Sequence, residues 1–403
     1  MWELIAANKR RSWILITLMG VLMIVAGGLL GAALAPGGAV VGAGFAFVLW
    51  LILSLASYYS GDSIFLASAG AREIEKQDHP TLFNIVEEMC IASGLSKMPK
   101  IYIVDDARPN AFAVGRDPEH ASVAVTAGLL NRLNRDEVQG VIAHELAHIN
   151  NRDILYVMIA GVMVGVIAIL GHVFLRAMWF TGGRARSRSR DGGGQAQVIL
   201  IVLALVFAIL APLAAQMLYF ALSRRREYLA DACGAQYTRY PEGLASALEK
   251  ISAQPGLAEQ KNQVMAPMYI VNPVEAAGFG GLGSTHPPTG ERVRVLRSMG
   301  GASLADYQAA FARERNESII PAGSLKTARP VGVRPPWHEQ EAVEREPDAR
   351  EKARETADLL WKLNKYAFIA CACGARLKVP PGFKSAQVRC PRCERVHDVP
   401  QAG

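Results

Sequence analysis

The 403-residue chain sets 43 Lys and Arg against 36 Asp and Glu, for a net charge of +7, and is 51% hydrophobic yet 20% charged. That is too polar for a pure membrane bundle, and its apolar residues are gathered into blocks too long for an ordinary soluble enzyme. No Gly-rich phosphate loop occurs, so ATP-driven chemistry within this chain is not expected.

Two uncharged apolar blocks come first, Trp13 to Leu34 and Val40 to Tyr59. Each is long enough to cross about 30 Å of hydrocarbon at about 1.5 Å per helical residue. Lys9, Arg10 and Arg11 would suit a signal peptide. Against that reading, the first block exceeds a signal core, and a second follows after only Ala35-Pro-Gly-Gly-Ala39. The pair reads as a retained hairpin that starts and returns on the cytoplasmic side, with everything after Ser60 on that side too.

The next informative stretch is His144-Glu-Leu-Ala-His148. On a helix, residues i and i+4 share a face, so the two imidazoles can hold one metal while Glu145 faces its open position. That set suits zinc-assisted hydrolysis, with the carboxylate accepting a proton from water. The bland alternative is a helix with two polar histidines. The flanks favour the metal: Asn134-Arg-Asp-Glu137 supplies cap-type and acidic residues, and Val138, Val141, Ile142, Leu146 and Ile149 make an apolar stripe.

Two further apolar blocks follow, Ile154 to Leu175 and Val198 to Leu222, joined by a Gly- and Arg-rich loop over Gly182 to Gly194. Their length favours full crossing, whereas Arg184, Arg186, Arg188 and Arg190 favour a hairpin that enters without crossing. Either path returns the chain to the side of His144. There, Arg226-Glu-Tyr-Leu-Ala-Asp231 places Glu227 and Asp231 on one helical face. A catalytic zinc usually needs a third protein ligand, and Glu227 is the candidate; an ordinary juxtamembrane helix is the alternative. Asp231 or Asp153 fits the role of accepting an imidazole N–H.

His144-Glu-Leu-Ala-His148 with Asp153, then Glu227-Tyr-Leu-Ala-Asp231, then Ser284-Thr-His-Pro-Pro-Thr-Gly-Glu-Arg292 resemble the HtpX family of membrane-integrated zinc endopeptidases, which is related to the CAAX prenyl proteases. Asn110-Ala-Phe-Ala113, after the strand-like Ile101 to Val104, resembles that family's substrate-binding edge strand. The resemblance implies a gluzincin-type fold with a small sheet beside the zinc helix. It implies His144, His148 and Glu227 as ligands, Glu145 as general base and His286 as stabiliser of the oxyanion. Arg292 would then pair with an acidic group such as Asp231. Asn110, Ala111, Phe112 and Ala113 would meet the substrate backbone.

Beyond about residue 300, Pro321 to Pro336 reads as a linker, and Glu339 to Lys365 as a solvated helix with a short apolar anchor. Cys371-Ala-Cys373 and Cys390-Pro-Arg-Cys393 then predict a four-thiolate zinc ribbon, although the first pair is one residue tighter than usual; a redox pair or disulfides are the alternatives. Cys90 and Cys233 read as core residues.

The expectation is therefore an α+β membrane protein with about four transmembrane or membrane-inserted helices. Its parts are a hairpin (1–60), a zinc protease domain (61–300), a linker with a charged helix (301–365) and a ribbon-like domain (366–403). It would sit in a bacterial-type inner membrane, catalytic site to the cytoplasm, carry one catalytic and one structural Zn²⁺, and cleave unfolded or membrane proteins in quality control. The ribbon would take a protein partner, with nucleic acid not expected; oligomeric state is left open. A non-catalytic membrane adaptor and a narrow processing peptidase are the competing readings, and the intact Glu145 argues against the adaptor.

Overall fold

The computed structural model describes residues 2–34, 37–181, 194–253, 269–270, 286–326, 328–337 and 347–399. The basic loop at 182–193, Ser284 and Thr285 of the His286 motif, and 339–346 of the charged stretch lie outside them.

Helices α1 (Trp2–Leu34) and α2 (Gly38–Ser68) form the expected hairpin. Their backbones nearly touch: a Cβ on Gly31 would lie 2.2 Å from the Gly38 oxygen, and one on Gly42 2.1 Å from the Gly27 oxygen. Two Gly-x-x-x-Gly pairs thus replace side chains with direct helix contact, as suits packing in lipid, where burial against water supplies no driving force. Strand β1 (Arg72–Glu73) and helix α3 (Pro80–Ser93) lead into β2 (Lys100–Val104), β3 (Ala111–Gly115) and β4 (Ala121–Thr126). The sheet order is β1-β2-β4-β3, with β2 parallel and β3 antiparallel to β4, so β3 is an edge.

After the short α4 (Ala127–Arg132), α5 (Arg135–Asn150) carries the paired histidines. It starts where the sequence indicates: the Asn134 side chain accepts the Glu137 N–H, and the Glu137 carboxylate accepts the Asn134 N–H. It lies inside the main core between α3, the sheet and α7 (Gly194–Thr238). Helix α6 (Ile154–Thr181) follows almost without a break and packs with α1, α2 and α7 in a second apolar cluster that includes Met19, Met23, Tyr156, Met163 and Ala211. Ile16–Ala33, Gly38–Ser68 and Ile154–His172 are long and apolar enough to cross a membrane. The fourth block, on α7, contributes the shorter apolar stretch Ala204–Ala215 among the described residues.

Helices α8 (Pro241–Ser252), α9 (Thr289–Arg297) and α10 (Leu304–Arg315) close the core. Gly140 of α5 meets the backbone of α8, with Leu244 N only 2.6 Å from where its Cβ would stand. Beyond residue 300 lie α11 (Ala322–Lys326), α12 (Ala349–Leu363) and two hairpins, β5 (Ala367–Ala370) with β6 (Arg376–Val379) and β7 (Gln387–Arg389) with β8 (Val396–Asp398).

The Pro-rich stretch read as a linker is docked along 328–337. The Arg334 N–H donates to the Arg239 oxygen, and its guanidinium to Thr238 O, Asp136 Oδ1 and Gln139 Oε1. The Trp337 N–H donates to Asp136 Oδ2, and its ring lies 4.1 Å from the Arg135 guanidinium. Leu359 of α12 is buried in the main core, and Asp358 holds Arg376 and Lys378 of the β5–β6 hairpin.

Candidate metal centre and catalytic cleft

His144 and His148 stand one turn apart on α5, and α7 brings Glu227 against them. The His144 and His148 Nε2 atoms are 3.2 Å apart, and they lie 3.5 and 3.4 Å from the Glu227 oxygens. Tetrahedral zinc with bonds of about 2.0–2.1 Å separates its ligand atoms by about 3.3–3.4 Å, so the three side chains are spaced to share one ion. Glu227 Oε2 is also a buried acceptor without a hydrogen bond, a costly arrangement that a cation relieves.

The other ring nitrogens are fixed from behind. His144 Nδ1 is 3.0 Å from Asp231 Oδ1, and His148 Nδ1 is 3.1 Å from Asp153 Oδ2. Both contacts hold the Nδ1–H toward a carboxylate, so that release of the other ring proton leaves an Nε2 lone pair facing Glu227. Arg292 of α9, fully buried, clamps Asp231 by two bonds of 2.8 and 2.7 Å, and its Nη1 lies 3.5 Å from Glu227. Beside Glu227, the Arg226 guanidinium stacks 3.5 Å from the Tyr156 ring and so joins α7 to the foot of α6.

Burial opposes charge on every one of these groups. It raises the Glu145 carboxyl, whereas at Glu227 the surrounding imidazoles and Arg292 overcome it and hold that carboxyl well below the usual range. His148 is carried the other way, to about 9, because the Asp153 and Glu227 carboxylates outweigh its desolvation. His286, 3.7 Å from Glu227, is pushed down by burial to about 4 and is therefore a neutral imidazole near pH 7.

Glu145, His148, Glu227 and His286 line one narrow cleft of about 30 Å³, together with Ala113 of the edge strand. Of the four expected substrate contacts, Ala113 is the one on this cleft. The Asn110 side-chain oxygen turns back to accept the Ala111 N–H, and Phe112 is buried edge-on against Tyr269. Four further residues line the same cleft without any signal in the sequence: Tyr269, Ile270, and Ile154 and Val157 in the first turn of α6.

At the C-terminus, Cys371 and Cys393 approach to 3.4 Å and Cys373 and Cys390 to 3.6 Å. Thiolates on one zinc, with Zn–S of about 2.3 Å, stand about 3.8 Å apart, so this cluster also fits a metal. The tight first pair is accommodated by Gly374 at φ 83, whose N–H donates to the Cys371 oxygen. The N–H groups of Arg392 and Cys393 face the Cys390 sulfur and lower its thiol to about 6. Cys90 and Cys233 are buried in the core, as expected.

Two histidines on a helix that runs straight into a membrane span, completed by a glutamate from α7, define a membrane-bound zinc metallopeptidase. Residues 76–300 match peptidase family M48, and the chain belongs to that family. A protease HtpX homolog of Dictyoglomus thermophilum is 45% identical over 74% of this chain and 95% of its own length. Another, from Thermoanaerobacter pseudethanolicus, is 41% identical over 74% of this chain and 98% of its own. The crystal structure of S. mikatae Ste24p is 20% identical over 62% of this chain and 57% of that one, with a TM-score of 0.37.

Proposed function

We propose that this metallopeptidase hydrolyses peptide bonds of unfolded or damaged membrane proteins at the cytoplasmic face of a bacterial-type inner membrane, as a quality-control enzyme. The observation that carries the catalytic part is the convergence of Glu145 and His286 on the cleft lined by His148 and Glu227, which group with the buried His144 as a possible metal site. A zinc ion held by His144, His148 and Glu227 supplies Lewis-acid activation of the peptide carbonyl and of water. Glu145 takes the proton from the attacking water and passes it to the leaving amine. The neutral His286 donates its N–H to the oxyanion as charge develops. Asp153 and Asp231 orient the two ligand imidazoles, and Arg292 holds Asp231 in place.

Orientation is supported by Lys9, Arg10 and Arg11 ahead of α1 and by the uncharged turn after it. The substrate class is supported by the short distance in sequence from His148 to Ile154, where a membrane helix begins. The ribbon is assigned to protein recognition, since β5–β8 form a separate small unit tied to α12.

The test uses the full chain in detergent, stripped by a chelator and reloaded with Zn²⁺. Wild type is expected to cleave reduced, unfolded casein, and Glu145→Gln to be slower by about 10²–10⁴-fold. Equal rates would reject the mechanism.

A further inference from the structure

The three ligand side chains come from two helices, and each of these is tied to the membrane region right at the site. Helix α5 ends at Asn150, and Arg152, at φ 60, turns the chain so that Asp153 folds back on it. The Asp153 N–H donates to the His148 oxygen at 3.1 Å, and its carboxylate lies 3.1 Å from His148 Nδ1. The Asp153 oxygen accepts the Val157 N–H in the first turn of α6, so a shift of α6 reaches His148 through one residue. Helix α7 is continuous from the apolar stretch Ala204–Ala215 through Glu227 to Thr238. A shift of its membrane part therefore reaches Glu227 as directly. At its far end α7 is already held close to α5, where a Cβ on Gly234 would lie 3.2 Å from His144 N. What remains to be fixed is how the stretch around Glu227 sits against α6.

Most of the packing between α6 and α7 is apolar and without direction, from side chains such as Ile159, Ala160, Met163, Ala211 and Ala215. At the level of the metal one contact has direction: the Arg226 guanidinium lies 3.5 Å from the Tyr156 ring, and both side chains are buried. Arg226 immediately precedes the ligand Glu227, and Tyr156 lies one helical turn beyond Asp153. A desolvated cation over a ring face is held there by the ring quadrupole, so the stack sets where this turn of α7 stands along α6. Among the described residues the Tyr156 hydroxyl has no hydrogen-bond partner, which leaves the ring as the part in use. Zinc sites tolerate departures of only about 0.2 Å in ligand distance. We propose that Arg226 and Tyr156 are positioning residues for the metal centre: their stack locks α7 against α6 and thereby sets the approach of Glu227 to the two imidazoles. The proposal rests on the metal centre of His144, His148 and Glu227 and adds that its geometry is set from the membrane helices.

The test uses the full chain in detergent, with Zn²⁺ kept in the thiolate site and Co²⁺ placed in the His site, where its visible bands report ligand geometry. Tyr156→Leu and Arg226→Gln are expected to shift those bands and to weaken Co²⁺ binding at the His site by about tenfold in chelator competition. Tyr156→Phe, which keeps the ring, should restore both readings. A stack that merely holds helices together would lower the melting temperature of Tyr156→Leu and Arg226→Gln with bands and affinity as in wild type. That result would overturn the proposal, and so would a Tyr156→Phe as impaired as Tyr156→Leu. If Tyr156→Leu does not fold, Arg226→Gln decides by the same two readings. A wild type that shows no Co²⁺ bands strikes at the metal centre itself and takes the proposal with it.

Discussion

Among the described residues, two metal-fitting clusters are built on opposite principles. Around His144, His148 and Glu227 the protein is already dense: the ligands sit in the main core, and Asp153, Asp231 and Arg292 hold them in position. Around Cys371, Cys373, Cys390 and Cys393 there is little else, with Leu377 the one buried apolar side chain besides cysteine in that small cluster. The first site is assembled by a fold that stands without it. The second must help to make its own fold, because two short hairpins bury too little apolar surface to hold together alone.

That contrast is sharpest at the ligands. Glu227→Ala should lower casein cleavage by at least about a thousandfold while the far-ultraviolet circular dichroism stays helical. Bound zinc should fall from two ions to one per chain, the remaining ion being the thiolate one. Loss of both ions, or a variant that keeps both, would break the assignment of separate sites. Next in size is the effect of chelation on amide exchange. Residues 367–398 should lose about a hundredfold or more of their protection, whereas α5 and the α7 segment around Glu227 keep theirs. Equal loss in both regions would mean that the core site, too, depends on metal for its fold. The smallest effect concerns orientation alone: Asp153→Ala should weaken zinc binding at the His site by about 10–100-fold, read by competition with a chromogenic chelator, and leave the ribbon site unchanged.

Both clusters were legible because metal chemistry restricts residue type and spacing so tightly. His144 and His148 fall one helical turn apart, and the two cysteine pairs announce their turns. The hairpin of α1 and α2 was equally plain from length and charge. What escaped were contacts made by residues with no chemical signature. Ile154 and Val157 look in sequence like any residues of an apolar block, and only the packing of α6 against β3 distinguishes a cleft wall from a lipid-facing side chain. Ile270 acts through backbone groups that every residue possesses, and Tyr269 through a ring packed edge-on against Phe112. The stretch before Trp337 read as a linker because Pro and Gly form no regular element. The same lack of internal hydrogen bonds leaves its backbone free to bond Arg239 and Ala302 instead.

That docked stretch has a genetic consequence. A stop codon just after residue 300 would spare the whole M48 match and every ligand of the His site. It would also strip Arg334 and Trp337 from Asp136, leaving a mostly buried carboxylate in the first turn of the zinc helix without its guanidinium. Residues beyond the family boundary thus brace the first turn of the zinc helix, and truncating them is expected to disturb the catalytic domain as well as remove the ribbon.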